Sequence, residues 1–449
     1  MFPNIFIHRT LLAALALTIP YMSAAAEITS LKDSVSFAIQ NNRLLSAAAG
    51  QVSAAQAQTD LATAQLLPSL DISTGFIRTN SPLNSFGTKL QQQRITQADF
   101  DANKLNNPSY INNYQSRLGL NMPLFSGGAI WAARKSAQYH AKASELNFEF
   151  RKQQLIYQTI AAYVLSRQSL AQMDAQKHAV NAANKRWLDA KALKKRGLSI
   201  ESDVMDAYVH LLRSKVRLDE TKNMYANSLE SLRWILGMNA DTTLDTQAEP
   251  NIHFSPSSLT DLLDQASIRR TDFLALQSEL SAADSAQDQA KSGYYPHVNL
   301  MAAQEWNNPT FGLKNSNAMV GVQVTMNIFS GAADLAKSRA AEAQRVTLSL
   351  QLEDKHQFIS NEIKQAWRSV HTAKKRLQSE VEALKQTEES LRIKALRHHQ
   401  GLEKTSDLLD AQVRADASKV AQIRAKYDYM IAKAALLLAS GTLNEEVVQ

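Results

Sequence analysis

The chain reads as a mainly α protein with a β-barrel portion, built from one internally duplicated unit. Three observations predict this. A glycine-centred turn occurs twice, as RGLSIESDVMDA over 196–207 and QGLEKTSDLLDA over 400–411. Two long stretches, 129–196 and 332–399, contain no proline and no glycine. Four shorter stretches alternate apolar and polar residues, which is the period of a half-buried strand.

The repeat comes first, because a period missed distorts every later reading. Residues 31–68 align with 259–296 without a gap at an offset of 228. Phe125-Ser126-Gly127 matches Phe329-Ser330-Gly331 at an offset of 204, which holds through Gly197 and Gly401 to Gly237 and Gly441. The difference of 24 is extra sequence between Pro68 and Phe125, rich in Asn, Ser, Gln and Pro. It is expected as a surface loop. The boundaries are a leader over 1–26, a first repeat over 27–237, a polar linker over 238–258 with Pro250 and Pro256, and a second repeat over 259–449 with a short C-terminal tail. Each repeat runs helix, strand, loop, strand, long helix, tip, helix.

At the N-terminus, His8 and Arg9 precede an apolar run over 11–19, and Ser23-Ala24-Ala25-Ala26 precedes Glu27. A charged start, a short apolar centre and a small-residue exit form a cleaved secretory signal. The run is too short to span a bilayer, and no later stretch reaches about 18 uncharged apolar residues. The mature chain is expected to be exported. It can enter a membrane only as a β-barrel, the one spanning structure besides the helix that pairs all its backbone groups.

The strands follow. Leu70, Ile72, Thr74 and Phe76 alternate with Ser69, Asp71, Ser73 and Gly75. Leu118, Leu120, Met122 and Leu124 alternate with Gly119, Asn121 and Pro123. Val298, Leu300 and Ala302 flank Asn299, and Val320 to Ile328 alternates with Gly321, Gln323, Thr325 and Asn327. One greasy and one polar face suit lipid outside and water inside, and equally a hairpin packed on helices. Four strands cannot close a membrane barrel, since about eight is the smallest. Either the strands lie outside a membrane or several copies share one barrel.

Each long stretch, if helical, would run roughly 100 Å at 1.5 Å per residue. Such length without caps indicates a coiled coil. Ile363, Val370, Leu377, Leu384 and Leu391 fall every seven residues, as do Val413, Val420, Tyr427 and Ala434 on the return. Small alanines between them let helices approach closely. At the tips, Gly197 and Gly401 end one helix, and Ser202 and Ser406 are expected to N-cap the next.

Composition excludes several classes. There is no cysteine, hence no disulfide, no thiolate site and no lipid on an N-terminal cysteine. The net charge of +7 and pI near 9.3 come from Lys and Arg scattered among Asp and Glu, which argues against nucleic acid. No phosphate loop, zinc motif or nucleophile elbow occurs, so neither cofactor nor enzymatic activity is expected. His398-His399 could be read as a metal pair, but neighbouring helical side chains point about 100° apart. Lys191, Lys194, Lys195 and Arg196 are solvated surface or a docking face for an acidic partner. Trp306, near a strand end, fits an aromatic girdle.

The signal, the duplicated order, the Phe-Ser-Gly hinges, the paired Gly-Leu tips and Ser440-Gly441-Thr442-Leu443-Asn444-Glu445 together resemble the TolC-type outer-membrane efflux proteins. The resemblance covers essentially the whole mature chain. It implies a homotrimer whose four strands per subunit form a 12-stranded outer-membrane β-barrel, continued across the periplasm by a long α-helical coiled-coil barrel. It implies a channel of tripartite efflux or type I secretion, working with a periplasmic adaptor and an inner-membrane pump of RND, ABC or MFS type.

The resemblance also assigns residues. Asp407 and Asp410 fall where the family rings its pore entrance. Ser202 and Asp203 fall where its first tip bonds to the neighbouring hairpin. Gly197-Leu198 and Gly401-Leu402 fall where its adaptor docks. Family members closest in pattern carry Tyr and Arg where this chain has His398 and Glu403, so the closing bonds must differ. Carboxylates gathered at a constriction would select or trap cations. Asp203 equally suits the first turn of a helix, where the dipole favours a carboxylate, and Asp407 shares that position, but Asp410 lies about a turn beyond any capping position, which favours the pore for that pair. A rival class is an exported coiled-coil scaffold or adhesin without a pore.

Overall fold

In the computed structural model, the described residues are 30–238, 244–255 and 258–448. The leader over 1–26 lies outside them. The chain runs α1 (Leu31–Asn41), α2 (Arg43–Ala64), β1 (Ser69–Thr79), α3 (Pro82–Gln91), α4 (Ala102–Asn106), β2 (Ile111–Ser126), α5 (Ala129–Lys195) and α6 (Glu201–Leu236). It continues α7 (Leu259–Arg269), α8 (Thr271–Lys291), β3 (His297–Asn308), β4 (Ser316–Thr325), α9 (Ala333–His399) and α10 (Thr405–Ala439). Both long helices have 67 residues, within a residue or two of the expected limits. No helix among the described residues is long and apolar enough to cross a membrane.

The four strands form one antiparallel sheet in the order β1-β2-β3-β4. Register puts Leu70, Leu120, Ala302 and Val320 in one row across it, and Ser73, Arg117, Glu305 and Asn317 in another. Because strand side chains alternate, these rows stand on opposite faces. The apolar row is the greasy face expected from alternation. On the polar face Arg117 Nε lies 3.5 Å from Glu305 Oε1. The outer edges of β1 and β4 are unpaired within the chain.

Two expectations need correction here. The alternating run to Ile328 overshoots: β4 stops at Thr325, opposite His297, where β3 itself begins after Pro296. Beyond that point the strand has no partner. The extra sequence between β1 and β2 is not a plain loop, since it holds α3, α4 and a 3₁₀ turn at Gln97–Phe100. Pro82 stands at the start of α3, where its missing N–H costs nothing. Asp101 caps α4 by accepting from the Asn103 and Lys104 amides at 3.0 and 3.3 Å.

The main core sits partway down the helices, not under the sheet. Ile156, Ile160, Tyr163 and Val164 of α5 pack with Val35 of α1, Leu232 and Leu236 of α6, and Tyr427 of α10. The described part of the linker joins them through Leu244 and Ile252, and the C-terminal tail through Leu443 and Val448. Ile252 and Val448 form an antiparallel bridge. Glu249 accepts from Arg167 at 3.0 Å, Lys426 at 3.0 Å and Tyr427 Oη at 3.1 Å, tying the linker to α5 and α10. The seven-residue stripe of α9 is buried or half-buried from Ile363 to Leu391, whereas Val413 of α10 stays at the surface.

Helices α1 and α2 are divided at Asn42, and α7 and α8 at Arg270. Asn42 Oδ1 accepts from the Leu44 and Leu45 amides at 2.9 and 3.0 Å, and its Nδ2 donates to the Ile235 carbonyl at 2.8 Å. Arg270 is 2% exposed. It donates to both Asp272 oxygens at 2.8 Å, to Glu362 at 2.7 Å and to the Ala439 carbonyl at 2.8 Å. Lys355 Nζ lies 2.7 Å from Asp272. Burial pushes the Asp272 pKa up, but the bonds from Arg270 and Lys355 outweigh it and leave the carboxyl below its ordinary 3.8.

Removing one partner of a buried ion pair typically costs about 3–5 kcal/mol. Arg270→Ala is expected to lower stability by about that much, read from denaturation of the detergent-extracted protein at neutral pH. Asp272 has a depressed folded pKa, so its contribution is present above 3.8 and lost as pH falls through the lower folded value. The stability gap between the parent chain and Arg270→Ala is therefore expected to shrink in acid.

Candidate functional site

The helical tips lie at the end of α5 and α9 farthest from the sheet. Each long helix ends on a glycine at φ 74°, Gly197 and Gly401, a conformation that side chains with a Cβ rarely adopt. The Gly197 and Gly401 amides donate to the Lys194 and His398 carbonyls at 2.9 and 3.0 Å. The Leu198 and Leu402 amides donate to the Leu193 and Arg397 carbonyls, both at 3.0 Å. This pair of bonds is a Schellman motif, which satisfies the last carbonyls and turns the chain. Leu198 and Leu402 are left 72% and 65% exposed.

The return helices start earlier than expected. Ser202 and Ser406 lie inside the first turn, and the N-caps are Ile200 and Lys404. Neither cap side chain has an oxygen to accept from first-turn amides. At the first tip Asp203 reaches back instead, accepting from Ser199 Oγ at 2.8 Å and from the Ile200 amide at 3.4 Å. Its helix-terminal role is therefore realised within the chain. Asp407, at the equivalent position, is half-buried, and Asp410, about a turn further on, is exposed.

Glu403 is held inside its own tip, 3.1 Å from Arg397 Nε and 3.6 Å from Lys394 Nζ. His398 Nε2 lies 3.2 Å from Thr405 Oγ1. Burial, with the charges of His399 and Arg186, holds the His398 pKa below its ordinary 6.5, so the ring is neutral at neutral pH. The His398 and His399 rings meet edge to face at 6.5 Å. Among the described residues no group of three or more metal-ligating side chains occurs. In the basic cluster, Lys194 pairs with Glu201 and Lys191 lies over the Trp187 ring at 4.6 Å. Lys195 and Arg196 are exposed.

A further arrangement was missed by sequence reasoning. Arg186 of α5 donates from Nε and Nη2 to Gln412 Oε1 of α10 at 3.1 and 2.9 Å. Gln412 Nε2 donates to Asp416 Oδ1 at 2.9 Å. Among the described residues no other side-chain hydrogen bond joins α5 or α6 directly to α9 or α10. His210 of α6 faces the same cluster, with its Nε2 buried and unpartnered. Burial raises the Asp416 pKa and lowers that of His210. A signal did exist. Arg186 interrupts the buried stripe Ala179, Ala183, Ala190, and Gln412 interrupts Leu408, Ala411, Ala415.

A sheet with one apolar face and two open edges, joined to helices of which none among the described residues is long and apolar enough to cross a membrane, has the parts of a barrel-anchored helical duct. The model of the outer membrane efflux protein family matches residues 35–238 and 262–442, and the chain belongs to that family. It is 23% identical over 434 residues to the alkaline protease secretion protein AprF of Pseudomonas aeruginosa, spanning 92% of this chain and 85% of that protein. To the outer membrane protein TolC of Escherichia coli it is 24% identical, spanning 75% of this chain and 73% of that protein. The solved outer membrane protein VceC of Vibrio cholerae has the same fold, at a TM-score of 0.77 and 19% identity over 92% of this chain and 96% of that one. The chain is thus an outer-membrane channel protein, in a family of passive ducts rather than enzymes. The scaffold or adhesin reading is set aside.

A hydrogen bond to a charged group contributes about 1.5–3 kcal/mol. Gln412→Ala is expected to speed amide exchange in the tip-side half of α10 by roughly ten- to a hundredfold, read by hydrogen–deuterium exchange, with the helices around Tyr163 and Tyr427 unchanged.

Proposed function

We propose that three copies of this chain close one twelve-stranded barrel in the outer membrane and continue it inward as a helical tube. The single observation that carries this reading is the open sheet: its two edges are unpaired and its apolar rows run out to both. Lipid offers no hydrogen bonds, so those edges need strands from other copies. Internal duplication, with repeats at 27–237 and 259–449, is supported by matched bonds. The Asn42-to-Ile235 bond and the Arg270-to-Ala439 bond stand at corresponding positions of the two alignments.

In this reading the tips form the gate. Asp407 and Asp410 ring the inner entrance, with Ser202 and Asp203 beside them on the first hairpin. Asp410 fits the ring best, being exposed and beyond any capping position. Gly197-Leu198 and Gly401-Leu402 take a periplasmic adaptor, which links the duct to an inner-membrane pump of RND, ABC or MFS type. The exposed leucines support this, since each is a large apolar group on a turn with no partner to cover it. Similarity to AprF along most of the chain supports type I secretion as the setting.

Two outcomes test the assignments. Asp407→Ala combined with Asp410→Ala is expected to weaken divalent-cation block of the reconstituted channel in bilayer recordings, and unchanged block would remove both residues from the entrance. Photo-crosslinking side chains placed at Leu198 and Leu402, which spare the left-handed glycines, are expected to capture an adaptor in cells. Capture equal to that from an exposed mid-helix control would end the docking assignment.

A further inference from the structure

The polar face of the sheet is not open along its whole length. Nearest the helices, Ser69, Asp71 and Ser73 are exposed. At the far end, Asn113 and Asn307 belong to the same face by strand alternation, yet they are 4% and 0% exposed. The connection between β1 and β2 lies against Asn113, and the turn between β3 and β4 bonds the Asn307 backbone through Asn315. Gln92, just after α3, is 1% exposed. Its Nε2 donates to the Asn112 carbonyl at 2.9 Å and to Asn113 Oδ1 at 3.0 Å. Asn113 Nδ2 donates in turn to Asn307 Oδ1 at 2.8 Å. Arg94 Nη1 donates to Gln92 Oε1 at 3.1 Å, and Ser85 Oγ to the Thr79 carbonyl at 3.3 Å. Buried amides are costly unless bonded, and these bonds serve Gln92 and Asn113 and so pin the connection in one place, while Asn307 Nδ2 stays buried without a partner. A connection that stood outward would leave Asn113 to water.

We propose that residues 80–110 form an inward-folded cap that narrows the outer mouth of the duct, limiting the size of what leaves at that end as well as at the tips. The inference rests on the shared-barrel reading, because only in a closed barrel is the polar face a lumen. It adds an exit constriction built from the extra sequence of the first repeat, which the second repeat lacks.

The chain has no cysteine, so Ser73→Cys supplies a single probe on the polar face behind the cap. Membrane-impermeant maleimides are added to intact cells, one small and charged, one linked to a bulky polymer. In the full chain the small reagent is expected to react and the polymer reagent to fail. Replacing residues 82–107 with a short Gly-Ser segment is expected to restore polymer labelling. Gln92→Ala, which only removes the pin, is expected to restore part of it and serves if the deletion does not assemble. Polymer labelling of the full chain, or its absence from both relieved variants while the small reagent reacts, overturns the cap. Failure of the small reagent in every variant overturns the barrel reading instead.

Discussion

A strand edge in hydrocarbon leaves a row of N–H and C=O groups with nothing to bond, at several kcal/mol for each. That constraint governs this molecule. Its sheet presents such an edge on β1 and another on β4, while the apolar rows between them match an acyl environment. No helix among the described residues is long and apolar enough to cross a membrane, and in the proposed reading the sheet carries the insertion. The proposed closure by further copies rests on hydrogen-bond accounting rather than on any contact within one chain.

The remaining architecture keeps long, thin elements in place around that sheet. A helix of 67 residues has far more surface than one partner can cover, and α9 buries few of its own side chains within the chain. Order is supplied partway down by a belt in which linker and tail are built into the core through the Ile252–Val448 bridge and the Glu249 contacts. Arg270 stitches α8, α9 and the end of α10 together at one point. Such buried charges hold geometry more than they add stability, since desolvation offsets much of the attraction.

Much of this was legible in the residues. The long helices lack breakers, so their limits at Gly197 and Gly401 could be read to within a residue or two, and strand faces followed from alternation. What escaped depended on side chains meeting across distance. Asn42 and Arg270 divide helices because each bonds a carbonyl far along the chain, which no local window contains. Ser202 and Ser406 look like caps by type, yet the turn closes two residues earlier because the Schellman bonds fix where the chain re-enters a helix. The polar composition between β1 and β2 suggested a loop, but Pro82 and Asp101 were visible helix starts. At the tips, Asp407 and Asp410 were singled out through family resemblance, whereas the Arg186–Gln412 bond was hidden in an alanine stripe.

The placement of that bond has a mechanical side. The core around Tyr163 and Tyr427 is where the two hairpins are clamped, and Arg186 lies about 35 Å further along α5 at 1.5 Å per residue. Beyond the belt the two hairpins meet, among the described residues, through buried alanines and one direct side-chain hydrogen bond, Arg186 to Gln412. Torque grows with distance from a fulcrum, so a modest sideways load on Leu198 or Leu402 strains that bond while hardly disturbing the belt. In the proposed duct, opening the tips would break that bond while leaving the core around Tyr163 and Tyr427 in place.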